Sequence, residues 1–312
     1  PSRSAASSQS LEELPMPAGA TADDYVGSET CQACHEDQFK NFKGTKHAKL
    51  KEVASWKDKV QGCESCHGPG KAHVEDPTNT QSVSFKNKNS KQASETCLAC
   101  HSGKESHNNF RRGEHWRNDV GCTDCHSSHG NGPASKLTGS GTFAEAAATS
   151  ASHTLPAMLK AKEPNLCISC HNETKSQFMK PFHHKVLEGT MTCSDCHNPH
   201  GGFEAKQTKL AVGADAACIK CHTDKQGPFV FEHAPLKTEG CASCHIPHGS
   251  ANPKLLRRPM VKQLCMECHT TLSDAEPGAP QAPHDLRTAR YNNCTVCHTK
   301  IHGSNTHKFF FR

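Results

Sequence analysis

Large apolar side chains are scarce in this 312-residue chain. Aromatic residues make up 5%, with two Trp and two Tyr, and all hydrophobic residues together reach only 34%. That is too little apolar material for an ordinary core of this size. No apolar run approaches the roughly 18–20 residues that span a bilayer as a helix. No stretch alternates apolar and polar residues convincingly as a strand would. No cysteine lies outside a Cys-x-x-Cys-His motif, so none is left for a disulfide or a catalytic thiol. No Cys-x-x-Cys-Lys variant occurs either.

What the chain does have is repetition. The motif occurs at Cys31, Cys34 and His35; at Cys63, Cys66 and His67; at Cys97, Cys100 and His101; at Cys122, Cys125 and His126; and at Cys167, Cys170 and His171. It recurs at Cys193, Cys196 and His197; at Cys218, Cys221 and His222; at Cys241, Cys244 and His245; at Cys265, Cys268 and His269; and at Cys294, Cys297 and His298, using all 20 cysteines. Two cysteines three apart with histidine directly after are the attachment site of c-type haem: the thiols bind the porphyrin and the histidine becomes an axial ligand. Zinc would use the same cysteine pairs but needs no following histidine. Histidine fills 24 of 312 positions, so chance would supply it about once in thirteen pairs, whereas every pair has one. A thioredoxin-like motif would sit in a βαβ pattern, and none surrounds a pair. Ten haems are therefore expected, with the porphyrins as the core and the apoprotein unfolded.

The formal charge of +5 misleads about partners. Propionates and iron charges of ten haems bring the oxidised protein to roughly −5 and the reduced one to about −15. Nucleic-acid binding is not expected.

Fourteen histidines remain outside the motifs. Ten recur in register: His47, His73, His115, His129, one of His183 and His184, His200, His233, His248, His284 and His302. In each pair of motifs, one histidine lies 11 to 15 residues after the first motif histidine and another 3 to 6 after the second. The repeat is thus a dihaem unit, present five times, as in a row of units. The recurrent set is expected to supply the distal ligands. His107, His153, His307 and the other member of the 183/184 pair are expected to be solvated. His129, His200 and His248 follow a motif histidine by three residues, and residues three apart on a helix share a face. They are expected to ligate neighbouring irons. All-histidine ligation implies low potentials and no open coordination site.

The expected organisation is a polar tail at 1–24, four haems at 25–130, a Gly/Ala/Ser-rich linker at 131–166, six haems at 167–303 and a short tail at 304–312. The first residues read as a tail left after export. C-type haem is attached outside the cytoplasmic membrane, so the periplasm is expected. Helices are expected around 39–53 and 178–187, the second broken at Pro181. The seven lysines of 40–59 read as a solvated face balancing propionates, or as a dock for an acidic redox partner. Phe309–Phe311 reads as a partner contact or a frayed end.

The segments Ser-Glu-Thr-Cys31-Gln-Ala-Cys34-His35, Gly-Thr-Lys-His47-Ala, Cys63-Glu-Ser-Cys66-His67-Gly-Pro-Gly and Asn-Pro-His200-Gly carry a likeness. Over about residues 25–303 the chain resembles the periplasmic decahaem cytochromes of the MtrA/DmsE family. The resemblance implies a multihaem c-type cytochrome with short helices and loops around an elongated wire of bis-histidine haems. It implies electron transfer across the outer membrane inside a β-barrel sheath protein. The partners would be a periplasmic or inner-membrane cytochrome donor and a decahaem cytochrome at the cell surface. The terminal acceptor would be a metal oxide or dimethyl sulfoxide. The alternatives are a multihaem reductase of nitrite or a similar substrate, and a soluble periplasmic shuttle.

Overall fold

A computed structural model describes residues 20–54, 62–80, 84–103, 107–130, 155–202, 208, 215–269, 284 and 288–312. His153, most of the expected linker (131–154) and most of the N-terminal tail (1–19) lie outside the described residues. The chain divides into two compact units, 1–162 and 163–312. The first carries four motifs and the second six.

Among the described residues the secondary structure is short helical turns, with isolated bridges and no named strand. The longest helix is Ser90–His101. Asn89 begins it by accepting the Gln92 backbone N–H, while Gln92 Oε1 accepts the Asn89 N–H in return, a reciprocal cap that fixes the start. The helix expected at 39–53 forms as Glu36–Lys43 and a 3-10 turn at Ala48–Glu52, interrupted at Gly44 and Thr45. The one expected at 178–187 does not form. A helix ends there instead, at Asn172–Phe178. Pro181 has no N–H to continue it, and Phe182 exchanges two backbone hydrogen bonds with Ser250 at 3.2 and 2.8 Å.

The motifs fold in two ways. An odd-numbered motif begins within or just after a short helix, as in Ser28–Gln32, Ser90–His101, Ala216–Ile219 and Val261–Cys265. An even-numbered motif makes its own single turn, as in Glu64–His67, Cys122–Cys125 and Cys193–Cys196. The odd segment then caps the even turn. Ser28 Oγ accepts the N–H of Cys63 at 3.1 Å, and Ser94 Oγ accepts that of Cys122 at 2.9 Å. Asp215 accepts that of Cys241 at 2.8 Å, and Glu163 accepts that of Ser194 at 2.8 Å. These bonds satisfy amide donors that a single helical turn leaves unpaired. Glu64 adds a buried tie in the first unit: its carboxylate accepts the N–H groups of Val26, Gly27 and Gly70.

The described ends of the expected linker and C-terminal tail fold back onto motifs. Within 155–160, Ser127 donates to the Met158 carbonyl and Lys160 to that of Cys125. Lys300 donates to the carbonyl of Phe310 at 2.9 Å, and Phe310 and Phe311 pack on His233 and His298. No helix among the described residues is long and apolar enough to cross a membrane.

Candidate haem-ligand sites

The first cysteines of consecutive motifs adjoin within each pair. Cys31 lies against Cys63, Cys97 against Cys122, Cys167 against Cys193, Cys218 against Cys241 and Cys265 against Cys294. The contact is close enough for one thiol to hydrogen-bond the other. In this arrangement the Cys122 thiol is lowered and that of Cys97 raised. Among the second cysteines, Cys34, Cys66, Cys170, Cys221, Cys268 and Cys297 are exposed, while Cys100, Cys125, Cys196 and Cys244 are half-buried like the first cysteines. None of the twenty is in a disulfide, so both sulfurs of each motif remain for a porphyrin edge.

Glu163 with Cys167 and Cys193, and Asp215 with Cys218 and Cys241, each gather three donors within 4.8 Å. Neither group is a separate metal centre: all four sulfurs belong to haem motifs, and both carboxylates already accept backbone N–H groups.

The histidines pair across the sequence. In the first unit His35 faces His73 with ring centres 6.2 Å apart, His67 faces His129 at 5.8 Å, and His101 faces His47 at 6.0 Å. In the second, His222 faces His184 at 6.3 Å and His197 faces His248 at 5.9 Å. His269 faces His233 at 6.2 Å, His245 faces His302 at 6.3 Å, and His298 faces His284 at 6.2 Å. His129 and His248 thus do not face the motif they follow. A rule covers six of the eight pairs. A histidine after an odd motif (His47, His184, His233) faces the motif two further on. One after an even motif (His129, His248, His302) faces the motif two back. The first and tenth motifs, at the two ends of the series, take His73 and His284.

Two paired backbone bonds build this exchange in the second unit. Phe182 bridges Ser250, and Phe231 bridges Ser304 at 2.8 and 2.9 Å. Each bridge joins a Phe-x-His strap to a His-Gly-Ser turn. The first sends His184 and His248 to different motifs, and the second does the same for His233 and His302. The glycine of the turn lies under the strap. A methyl group at Gly303, where φ is +137°, would overlap the Phe229 ring. Gly303→Ala should therefore lift His302 away from His245 and leave one haem high-spin, read as a new high-spin ferric signal in electron paramagnetic resonance. An unchanged spectrum would exclude that role for the turn.

The two histidines at 183 and 184 are separated by their partners. His183 donates from both ring nitrogens, to the Lys180 carbonyl at 2.6 Å and to Glu188 at 2.8 Å. Glu188 holds it above the usual imidazole range, and both of its ring nitrogens are engaged. His184 donates only Nδ1–H, to the Pro247 carbonyl at 2.7 Å, and presents its other nitrogen. His126, His245 and His298 are held in the same way, by the carbonyls of Ala157, Lys254 and Phe309. These bonds fix tautomer and ring orientation. His107 is not simply solvated: it lies 5.5 Å from His101.

The spacing tests whether an iron fits. Metal–imidazole bonds of about 2.0–2.1 Å, with about 1.1 Å from ring atom to ring centre, put trans imidazoles about 6.3 Å apart. The eight pairs span 5.8–6.3 Å. Around His101, His107 at 5.5 Å falls short of that spacing and His47 at 6.0 Å is near it.

Two family descriptions match parts of the chain: "Doubled CXXCH motif" at residues 183–227 and 233–274, and "Cytochrome c554 and c-prime" at 30–61 and 71–127. The multiheme cytochrome MtrA of Shewanella baltica is 31% identical over 294 residues, covering 89% of this chain and 79% of that protein. This chain belongs to the multihaem cytochrome c family of MtrA. It is accordingly a protein of c-type haem, and among the described residues its form is short helices with no named strand.

Sequence reasoning found the histidines but missed the straps. The available signal was the repeat of Phe182-x-His184 and Phe231-x-His233 beside His248-Gly-Ser250 and His302-Gly-Ser304.

Proposed function

We propose that this chain carries electrons through ten bis-histidine haems and turns over no substrate of its own. The observation that carries the reading is the set of imidazole pairs spaced for trans ligation. The twenty motif cysteines would hold the porphyrins and the ten motif histidines would take one axial position each. His73, His129, His47, His184, His248, His233, His302 and His284 would take the other position on eight irons. His115 and His200 are the other two histidines of the recurrent set.

Haem iron supplies one-electron chemistry at potentials set by its axial ligands. The chain's part is to close both axial positions, so that no reactant coordinates. A substrate-transforming metal site keeps one position open. The adjoining sulfurs within each motif pair bring two attachment points side by side, which suits transfer between neighbouring centres.

On the strength of the MtrA relationship, the place of action would be the periplasm and the outer membrane, inside the lumen of a β-barrel partner. A surface this polar cannot face lipid, and a barrel lumen removes that difficulty. The donor would be a periplasmic or inner-membrane cytochrome, the acceptor a decahaem cytochrome at the cell surface, and the process extracellular respiration of metal oxide or dimethyl sulfoxide.

Carbon monoxide titration of the fully reduced protein tests the closed coordination. No haem should bind the gas. Stoichiometric binding at even one would turn the reading toward a reductase. Recovery from outer-membrane extracts bound to a barrel protein is the expected result for the partner, and recovery as a free monomer would count against it.

A further inference from the structure

His248 is held by a side chain rather than by a backbone carbonyl. Its Nδ1 donates to a side chain, Gln177 Oε1, at 2.9 Å. His73, His184, His245 and His298 donate instead to backbone carbonyls. Phe178, buried, packs against the same ring with centres 5.0 Å apart. The arrangement is built in. The helix Asn172–Phe178 ends over the turn, and a methyl group at Gly249 would overlap the Gln177 carbonyl oxygen. Only glycine lets the helix end come this close.

The planes of His197 and His248 lie 59° apart. His184 with His222, and His47 with His101, are similarly crossed at 62° and 67°. The other five pairs lie within 25° of parallel. Crossed imidazoles give ferric low-spin haem a strongly anisotropic signal, while parallel ones give an ordinary rhombic signal.

We infer that Gln177 is a positioning residue that sets both the plane and the donor strength of His248 at the haem borne by Cys193 and Cys196. An acceptor on the far nitrogen makes an imidazole a stronger donor, which favours the ferric state and lowers the potential. A carboxylate in the same place does so more strongly, because charge-assisted bonds are roughly twice as strong. The inference rests on reading His197 and His248 as the two ligands of one iron. That reading has its own test: His248→Ala should make one haem high-spin, and if it does not, the ligand assignment itself fails.

The experiment is a redox titration of the holoprotein followed by electron paramagnetic resonance, comparing Gln177→Leu and Gln177→Glu with the parent. The iron should stay low-spin in both. In the Leu variant one component of the strongly anisotropic signal should titrate higher, by about tenfold in its one-electron equilibrium, or about 59 mV. In the Glu variant the same component should move lower. Unchanged midpoints, shifts of the same sign, or conversion to high spin in either variant would overturn the inference. The isosteric Glu variant keeps the test decisive if the Leu variant does not accumulate.

Discussion

Made without its haems, the chain should have almost no helical circular dichroism and should be cut throughout by a protease that spares the holoprotein. The buried apolar side chains among the described residues are Phe39, Ala93, Leu98, Phe110, Phe178, Val186 and Ala216. Each contributes at most about 1.5–3 kcal/mol by burial, while each ordered residue costs about 1–2 kcal/mol of backbone entropy. The helices cannot stand alone, since isolated helices shorter than about 12–15 residues are marginal in water. The longest among the described residues is Ser90–His101, and most are single turns. What remains is the haem, with two thioether bonds and two porphyrin faces per site. A chain expressed without haem attachment that retains native-like helicity and protease resistance would show that the polypeptide has a sufficient core after all.

Replacing His233 should alter a haem at a distance in sequence. His233 follows the motif of Cys218 and Cys221, yet it faces His269 at 6.2 Å with planes only 7° apart. His233→Ala should convert one haem completely from low to high spin and open one site for carbon monoxide. His233→Met should keep the iron low-spin and raise its potential, because Met/His ligation favours the ferrous state. The location is settled by a double variant. With Cys265 and Cys268 both changed to serine, that haem is absent, and His233→Ala should then produce no high-spin signal. Such non-additivity is what a shared site demands. A high-spin signal that persists in that background would place the ligand on another iron.

The sequence makes the chemistry of this protein legible and leaves its wiring obscure. The motif histidines and their recurrent companions could be counted, because metal ligation restricts residue type and spacing. That the described residues form short turns with no named strand agrees with the lack of an alternating apolar pattern. Which imidazole faces which could not be read. Four of the pairs run through Phe182 bridging Ser250 and Phe231 bridging Ser304, contacts between backbone groups far apart in sequence. The helix expected at 178–187 failed for a related reason: the backbone there is committed to Ser250. His183 and His184 differ in their surroundings through Glu188, five residues on from His183, whose carboxylate engages a His183 ring nitrogen.

The alternation of the ligand rule has a bearing on biogenesis. A chain exported from its N-terminus brings His47 out ahead of Cys97, His184 ahead of Cys218 and His233 ahead of Cys265. On the proposed assignment those irons would meet their second imidazole as soon as the porphyrin is fastened. The iron near Cys63 would wait for His129, that near Cys193 for His248, and that near Cys241 for His302. These three centres, and the first, which would wait for His73, would pass through an interval with one face bare, and a nascent polypeptide stalled at that stage would be open to peroxide and to stray ligands.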